Sequence, residues 1–224
     1  MYNGLISCNS ASNGGGIKLR HVSHLGLKFG DEAAIYGGII VNNTAHIGGG
    51  IYVANSFSIY ARIEGCEIVN NTAHNGGRVG VNYLGRLIIN RSNINNNTAT
   101  NNGGGLYISN ISNRGRGSGS VSMHNGNISE NIAINGGGVF NNGRFIILNG
   151  RIINNFASTN GGCVHTSGSF SLGARYYWGT ASPVIFLNDA TSDGGGVFHN
   201  GGSFSIFAGW IFHNTSDDVR LALG

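Results

Sequence analysis

Residues 92–108 read SNINNNTATNNGGGLYI, and the order of parts in that stretch recurs along the chain. Ile94 is followed three residues later by Asn97 and five later by Ala99, and a glycine run then leads into the aliphatic Leu106. Eight segments obey the pattern G-x-I-x-x-N-x-A with small departures: GLISCNSA from Gly4, GIIVNNTA from Gly38, CEIVNNTA from Cys66, SNINNNTA from Ser92, GNISENIA from Gly126, GRIINNFA from Gly150, PVIFLNDA from Pro183 and GWIFHNTS from Gly209. Their Ile residues, from Ile6 to Ile211, lie 24 to 34 residues apart. Self-similarity at such a period marks a repeat architecture.

Each of the first seven Ile residues is followed by a glycine run and then by Ile17, Ile51, Val79, Leu106, Val139, Val164 or Val197. A third element precedes the Ile and alternates apolar residues, as in Leu87 with Ile89, Val121 with Met123 and Phe145 with Ile147. Each unit thus reads as three short period-2 strands separated by turns. One such unit has no core of its own, so units must stack, each strand pairing with its equivalent above and below. The chain is expected to be an all-β parallel solenoid of about eight coils, one domain over residues 1–224 and roughly 35–40 Å long. The recurrent Asn is expected to turn a corner in left-handed backbone and to bond the same amide one coil away. The glycines serve the next corner, where a positive φ or a close approach excludes a Cβ.

Composition agrees. Of 224 residues, 40 are Gly, 32 are Asn and one is Pro, while 10% are charged, which excludes helical bundles and, with 40% hydrophobic residues, disorder. A net charge of +4 without a basic run gives no indication of nucleic acid, and no stretch approaches the 18 apolar residues of a membrane span. The first sixteen residues, MYNGLISCNSASNGGG, lack the features of a signal peptide. Cys8, Cys66 and Cys163 fall at three different places in the repeat and read as free thiols.

The strings GGGIY (48–52), GGGLY (103–107) and GGGVF (136–140), alternating with I-x-x-N-x-A, resemble the right-handed parallel β-helix repeats of bacterial adhesin-like surface proteins, related in fold to pectin lyases. They are also similar to the GGA[I/L] and FxxN repeats of chlamydial polymorphic membrane proteins, with Gly in place of Ala and Ile in place of Phe. The resemblance implies a right-handed coil, which agrees with the general crossover preference. It also implies an extracellular or cell-surface location.

Scaffold repeats say little about function, so departures from them carry the search. Insertions lie near 18–32, 109–119 and 173–183. The last places Arg175, Tyr176, Tyr177 and Trp178 together, groups that stack on sugar rings or anchor a protein partner; rings folded back on the coil are the alternative. Strand alternation also points Tyr52, Tyr107, Phe140 and Phe198 outward as a stripe, which reads as a carbohydrate-binding face or as packing. His46 and His74 should stack about 5 Å apart, without the further ligands that a zinc site needs. Asp189, Asp193, Asp217 and Asp218 are the one acidic concentration, suited either to calcium or to solvated turns.

Polysaccharide lyases and glycoside hydrolases of the pectin-lyase-like fold are the enzymatic alternative. They need facing carboxyl groups, and Glu67 is matched by Asn93 and Ile39, Glu130 by Asn96 and Asn154. An ice-binding array is broken where Ile132, Phe156 and Asp189 follow Thr44, Thr72 and Thr98. The expectation is therefore a non-catalytic surface or secreted adhesin-type solenoid that binds glycans or partner proteins, with no cofactor. Because the first motif starts at Gly4 without a preceding cap, the chain also reads as a segment of a longer array or one that associates end to end.

Overall fold

A computed structural model describes residues 2–20, 32–54, 60–77, 79–82, 85–110, 118–174 and 182–221. Among these residues there is no helix. The strands form four sheets, parallel throughout, in which strand order follows chain order. Sheet 1 runs from Leu5–Ser7 to Trp210–Phe212 and sheet 2 from Ser10–Asn13 to Asp189–Ala190. Sheet 3 runs from Ile17–Arg20 to Val219–Leu221, and sheet 4 from Glu32–Tyr36 to Ser203–Ile206. The chain visits the sheets in that order and then begins the next coil, giving a right-handed parallel β-helix of about eight coils.

One detail differs from the sequence reading. Each of the first seven coils has four short strands where the repeat suggests three, because the motif I-x-x-N-x-A is split by its Asn into a strand of sheet 1 and a strand of sheet 2. Ile40, Ile68, Ile94, Ile128, Ile152 and Ile185 pair in register and are 0% exposed. They face Val and Leu side chains of sheet 3, and sheet 4 adds its largest rings, Phe145 and Phe170, stacked at 5.6 Å. Sheet 2 contributes small interior residues, Ala45, Ala73, Ala99, Ala133, Ala157 and Ala190.

Small size at this edge has a cause. Gly104, in the corner that follows sheet 2, lies so close to the next coil that a Cβ there would sit 2.4 Å from the carbonyl oxygen of Gly137 and 2.6 Å from that of Ile132. Gly103 before it takes a φ of 67°. The two reasons given for the glycine run, left-handed backbone and close approach, thus belong to successive residues.

The motif Asn is buried from Asn43 to Asn188, and it builds the ladder expected of it. In Asn131, for example, Nδ2 donates to Asn155 Oδ1 at 2.9 Å and to the Ile94 carbonyl at 3.0 Å. Its own Oδ1 accepts from the Asn97 backbone N–H at 3.1 Å and from Asn97 Nδ2 at 2.8 Å. Equivalent bonds link Asn9, Asn43, Asn71, Asn97, Asn131, Asn155, Asn188 and Asn214. The left-handed residue, however, is the one before it: Cys8, Asn42, Asn70, Asn96, Glu130, Asn154, Leu187 and His213 all have φ between 53° and 58°. Corner strain and hydrogen bonding are divided between two adjacent residues. None of the three cysteines is in a disulfide, and burial holds the Cys163 thiol well above its usual range, so it is not the thiolate a reactive site would need.

Candidate binding faces

The segment carrying Arg175, Tyr176, Tyr177 and Trp178 lies outside the described residues. The aromatic stripe lies within them. Tyr52, Gly80, Tyr107, Phe140, His165 and Phe198 follow one another in register on the outer side of sheet 3. Tyr107 stacks on Phe140 at 5.6 Å, Phe140 on His165 at 4.9 Å, and His165 leans on Phe198 at 4.9 Å. The stripe is not the open strip that alternation suggests, since Tyr52 and Phe198 are buried and Tyr107 and Phe140 partly so. The corner out of sheet 2 reaches over it: a Cβ at Gly80 would meet Ile47 Cγ2 at 2.7 Å, and one at Gly76 would meet Tyr107 Cβ at 2.9 Å. His165 Nδ1 is buried without a hydrogen-bond partner among the described residues. Burial pushes the His165 pKa down to about 4, against a smaller raising effect from the Asn160 backbone. This geometry fits rings that pack one coil on the next.

Of the four acidic residues near the last coils, Asp217 is exposed and the other three are engaged separately. Asp189 accepts from the Thr215 hydroxyl, and Asp193 lies 3.8 Å from Arg220. Asp218 Oδ1 accepts from both the backbone N–H and Nδ2 of Asn214 at 2.9 Å, the two bonds that a further Asn would accept. It therefore terminates the ladder. Among the described residues no three of His, Cys, Asp and Glu gather as metal ligands. His46 and His74 stack at 4.9 Å as the register requires, with His74 Nδ1 3.1 Å from the Thr100 hydroxyl.

Glu67 and Glu64 are likewise held by non-acidic partners. Glu67 pairs in register with Ile39 and Asn93 and accepts from Asn93 Nδ2 at 2.5 Å. Glu64 sits between Tyr36 and Asn90 in register, with Arg62 at 3.8 Å and Arg91 at 4.0 Å.

The sequence reading passed over the outer face of sheet 1. There Trp210 is in register with Val184 and Arg151, and Phe212 with Phe186 and Ile153. Phe186 and Phe212 stack at 5.5 Å with their planes 8° apart, and Trp210 is 68% exposed. The signal was available, because residues flanking the motif Ile must point outward by alternation, and in PVIFLNDA and GWIFHNTS those flanks include Phe186, Trp210 and Phe212. In the middle coils the same places hold Asn93, Asn95, Asn127 and Ser129. Sheet 1 thus passes from a polar centre to an aromatic platform. Comparison of the chain with protein-family models, curated proteins and solved structures finds no match in any of the three.

Proposed function

We infer that the chain is a non-catalytic adhesin-type β-helix, displayed on a cell surface or secreted, that binds glycans or partner proteins through its outer faces. The observation that carries this reading is the platform of Trp210, Phe186 and Phe212 on the outer face of sheet 1. An exposed indole offers sugar rings a stacking surface beside the stacked Phe186 and Phe212 rings, and with one polar edge it is a common anchor for a protein partner. In-register partners of Glu64, Glu67 and Asp189 are all non-acidic, which supports binding over the paired-carboxylate chemistry of polysaccharide cleavage. The Arg175 to Trp178 segment and end-to-end association of copies belong to the same proposal.

A glycan array with the intact chain tests it, beside Trp210→Ala and Trp178→Ala. Selective signals that Trp210→Ala removes are expected. An unchanged profile for both variants would sink the aromatic assignment, and release of unsaturated or reducing sugar from any array member would replace binding by catalysis.

A further inference from the structure

We propose a second binding site, for a sulfated polysaccharide, in a depression on the outer face of sheet 4. Its volume is about 410 Å³, and Tyr60, Arg86, Ser118, Ser120, Ser122 and Arg144 line it. The register explains why it exists. Arg86, Ser120 and Arg144 follow one another in one outward column, and Ile88, Ser122 and Ile146 in the next. One coil therefore carries Ser at both outward positions between two coils that carry long side chains, which leaves a notch one coil wide. At about 4.8 Å per coil, the two Arg backbones stand roughly 10 Å apart along the rod.

The walls are cationic, and one of them is held in place. Arg86 Nη1 donates to the Tyr60 hydroxyl at 2.7 Å and its guanidinium lies 5.3 Å from the centre of that ring, which leaves its remaining N–H groups to a ligand. The exposed side chain of Arg144 makes no ion pair or hydrogen bond to another described residue. None of the described residues that line it is acidic. On the floor, Ser118, Ser120 and Ser122 make no side-chain hydrogen bond to another described residue, so their hydroxyls are free to donate.

A guanidinium fork alone suits a planar carboxylate. The Ser hydroxyls add donors beside it, and a tetrahedral oxyanion has the further acceptor oxygens to use them. The two Arg residues, set one on each side of the notch along the rod axis, ask for a linear polyanion whose charges recur at that interval. A sugar chain sulfated on alternate residues has that form, and its uncharged ring would cross the notch floor. The site lies on a different sheet from the Trp210 platform and does not depend on the reading given to that platform.

The test is titration of the intact chain with dextran sulfate at low and moderate salt, beside dextran, polygalacturonate and inorganic polyphosphate. Arg86→Gln and Arg144→Gln should each weaken dextran sulfate by about three- to tenfold. Arg91→Gln removes an exposed Arg from the corner after sheet 4 and should change nothing. Ser120→Leu fills the notch at constant charge and should weaken binding as much as the Arg variants, with thermal unfolding of each variant showing that the rod is intact. An equal loss for Arg91→Gln, or none for Ser120→Leu, would reduce the effect to bulk charge and overturn the site. Polygalacturonate or polyphosphate binding as tightly through the same two Arg residues would overturn the sulfated-glycan assignment. None of these variants touches Trp210, so the array result stands or falls separately.

Discussion

Replacing Asn131 by Asp should destabilise the rod strongly at neutral pH and less in acid, although the two side chains have the same shape. A carboxylate at this place keeps the two bonds that Asn131 Oδ1 accepts from Asn97 and loses the two that Nδ2 donates. The Ile94 carbonyl and Asn155 Oδ1 would then be buried acceptors facing a negative charge. Asn155 Oδ1 keeps the bond it accepts from the Asn131 backbone N–H at 3.0 Å, but each bond lost at a buried acceptor costs about 1–3 kcal/mol, and more beside a charge, which puts the loss at about 3–6 kcal/mol. Protonation restores one O–H donor, so folding raises this carboxyl's pKa above its unfolded value of about 3.9. The penalty is accordingly small below about pH 4 and grows as pH rises through the folded pKa. Asn131→Ala loses both sides of the ladder and should be costly at every pH. Asp218→Asn should shift stability by less than about 1 kcal/mol, because Asp218 only accepts, from Asn214, and an amide oxygen does the same. Urea unfolding of the three variants and the parent at pH 4 and pH 7 measures all of this. A loss under about 1 kcal/mol for Asn131→Asp at pH 7, or one that does not change with pH relative to the parent, would refute the ladder's energetic role.

Three further outcomes are expected. His165 is neutral in the fold, its pKa pushed down to about 4, so the unfolded chain, titrating near 6.5, takes up the proton first. Stability should fall by up to about 3 kcal/mol as pH drops from about 6.5 to about 4. His165→Phe should remove most of that slope in acid titrations followed by circular dichroism, the remainder coming from His124, which burial and Arg62 also lower. Ile94→Ala opens a cavity at a fully buried place and should cost about 2–5 kcal/mol in denaturant unfolding; a loss under about 1 kcal/mol would mean the core is not close-packed there. Leu187 is exposed and takes a φ of 55°, where Asn stands in other coils, so Leu187→Asn should stabilise by about 1 kcal/mol and raise the midpoint of thermal unfolding; a lower midpoint counts against the strain argument.

The coil was legible because its interior positions have no freedom: Ile94 must meet Ile68 on one side and Ile128 on the other, whatever number of residues lies between. The fourth strand was not. Sheet 2 strands such as Thr72–Asn75 carry one interior Ala, and a period cannot be read from a single position. Nor could the two duties of the Asn corner be separated where both residues are Asn, as at Asn42 with Asn43, Asn70 with Asn71, Asn96 with Asn97 and Asn154 with Asn155. Cys8, Glu130, Leu187 and His213 resolve it, because the left-handed place tolerates other residues and the ladder place does not. Alternation correctly turned Tyr52 and Phe198 outward but carried no information on what the neighbouring corner covers.

The same logic explains why function was harder to read than fold. A stacked repeat forces likeness on every residue that touches the coil above or below, and those residues become the visible motif. Residues left free by stacking are the ones written as x, and a ligand can select only among them. Trp210 and Phe186 flank the motif Ile and differ from the polar residues at the same places in the middle coils, while Ser120 breaks a column between Arg86 and Arg144. On this rod the informative positions are therefore outward ones that change from one coil to the next. Both faces argued for binding were found as such breaks, one where side chains become large and flat, the other where they become small between charges.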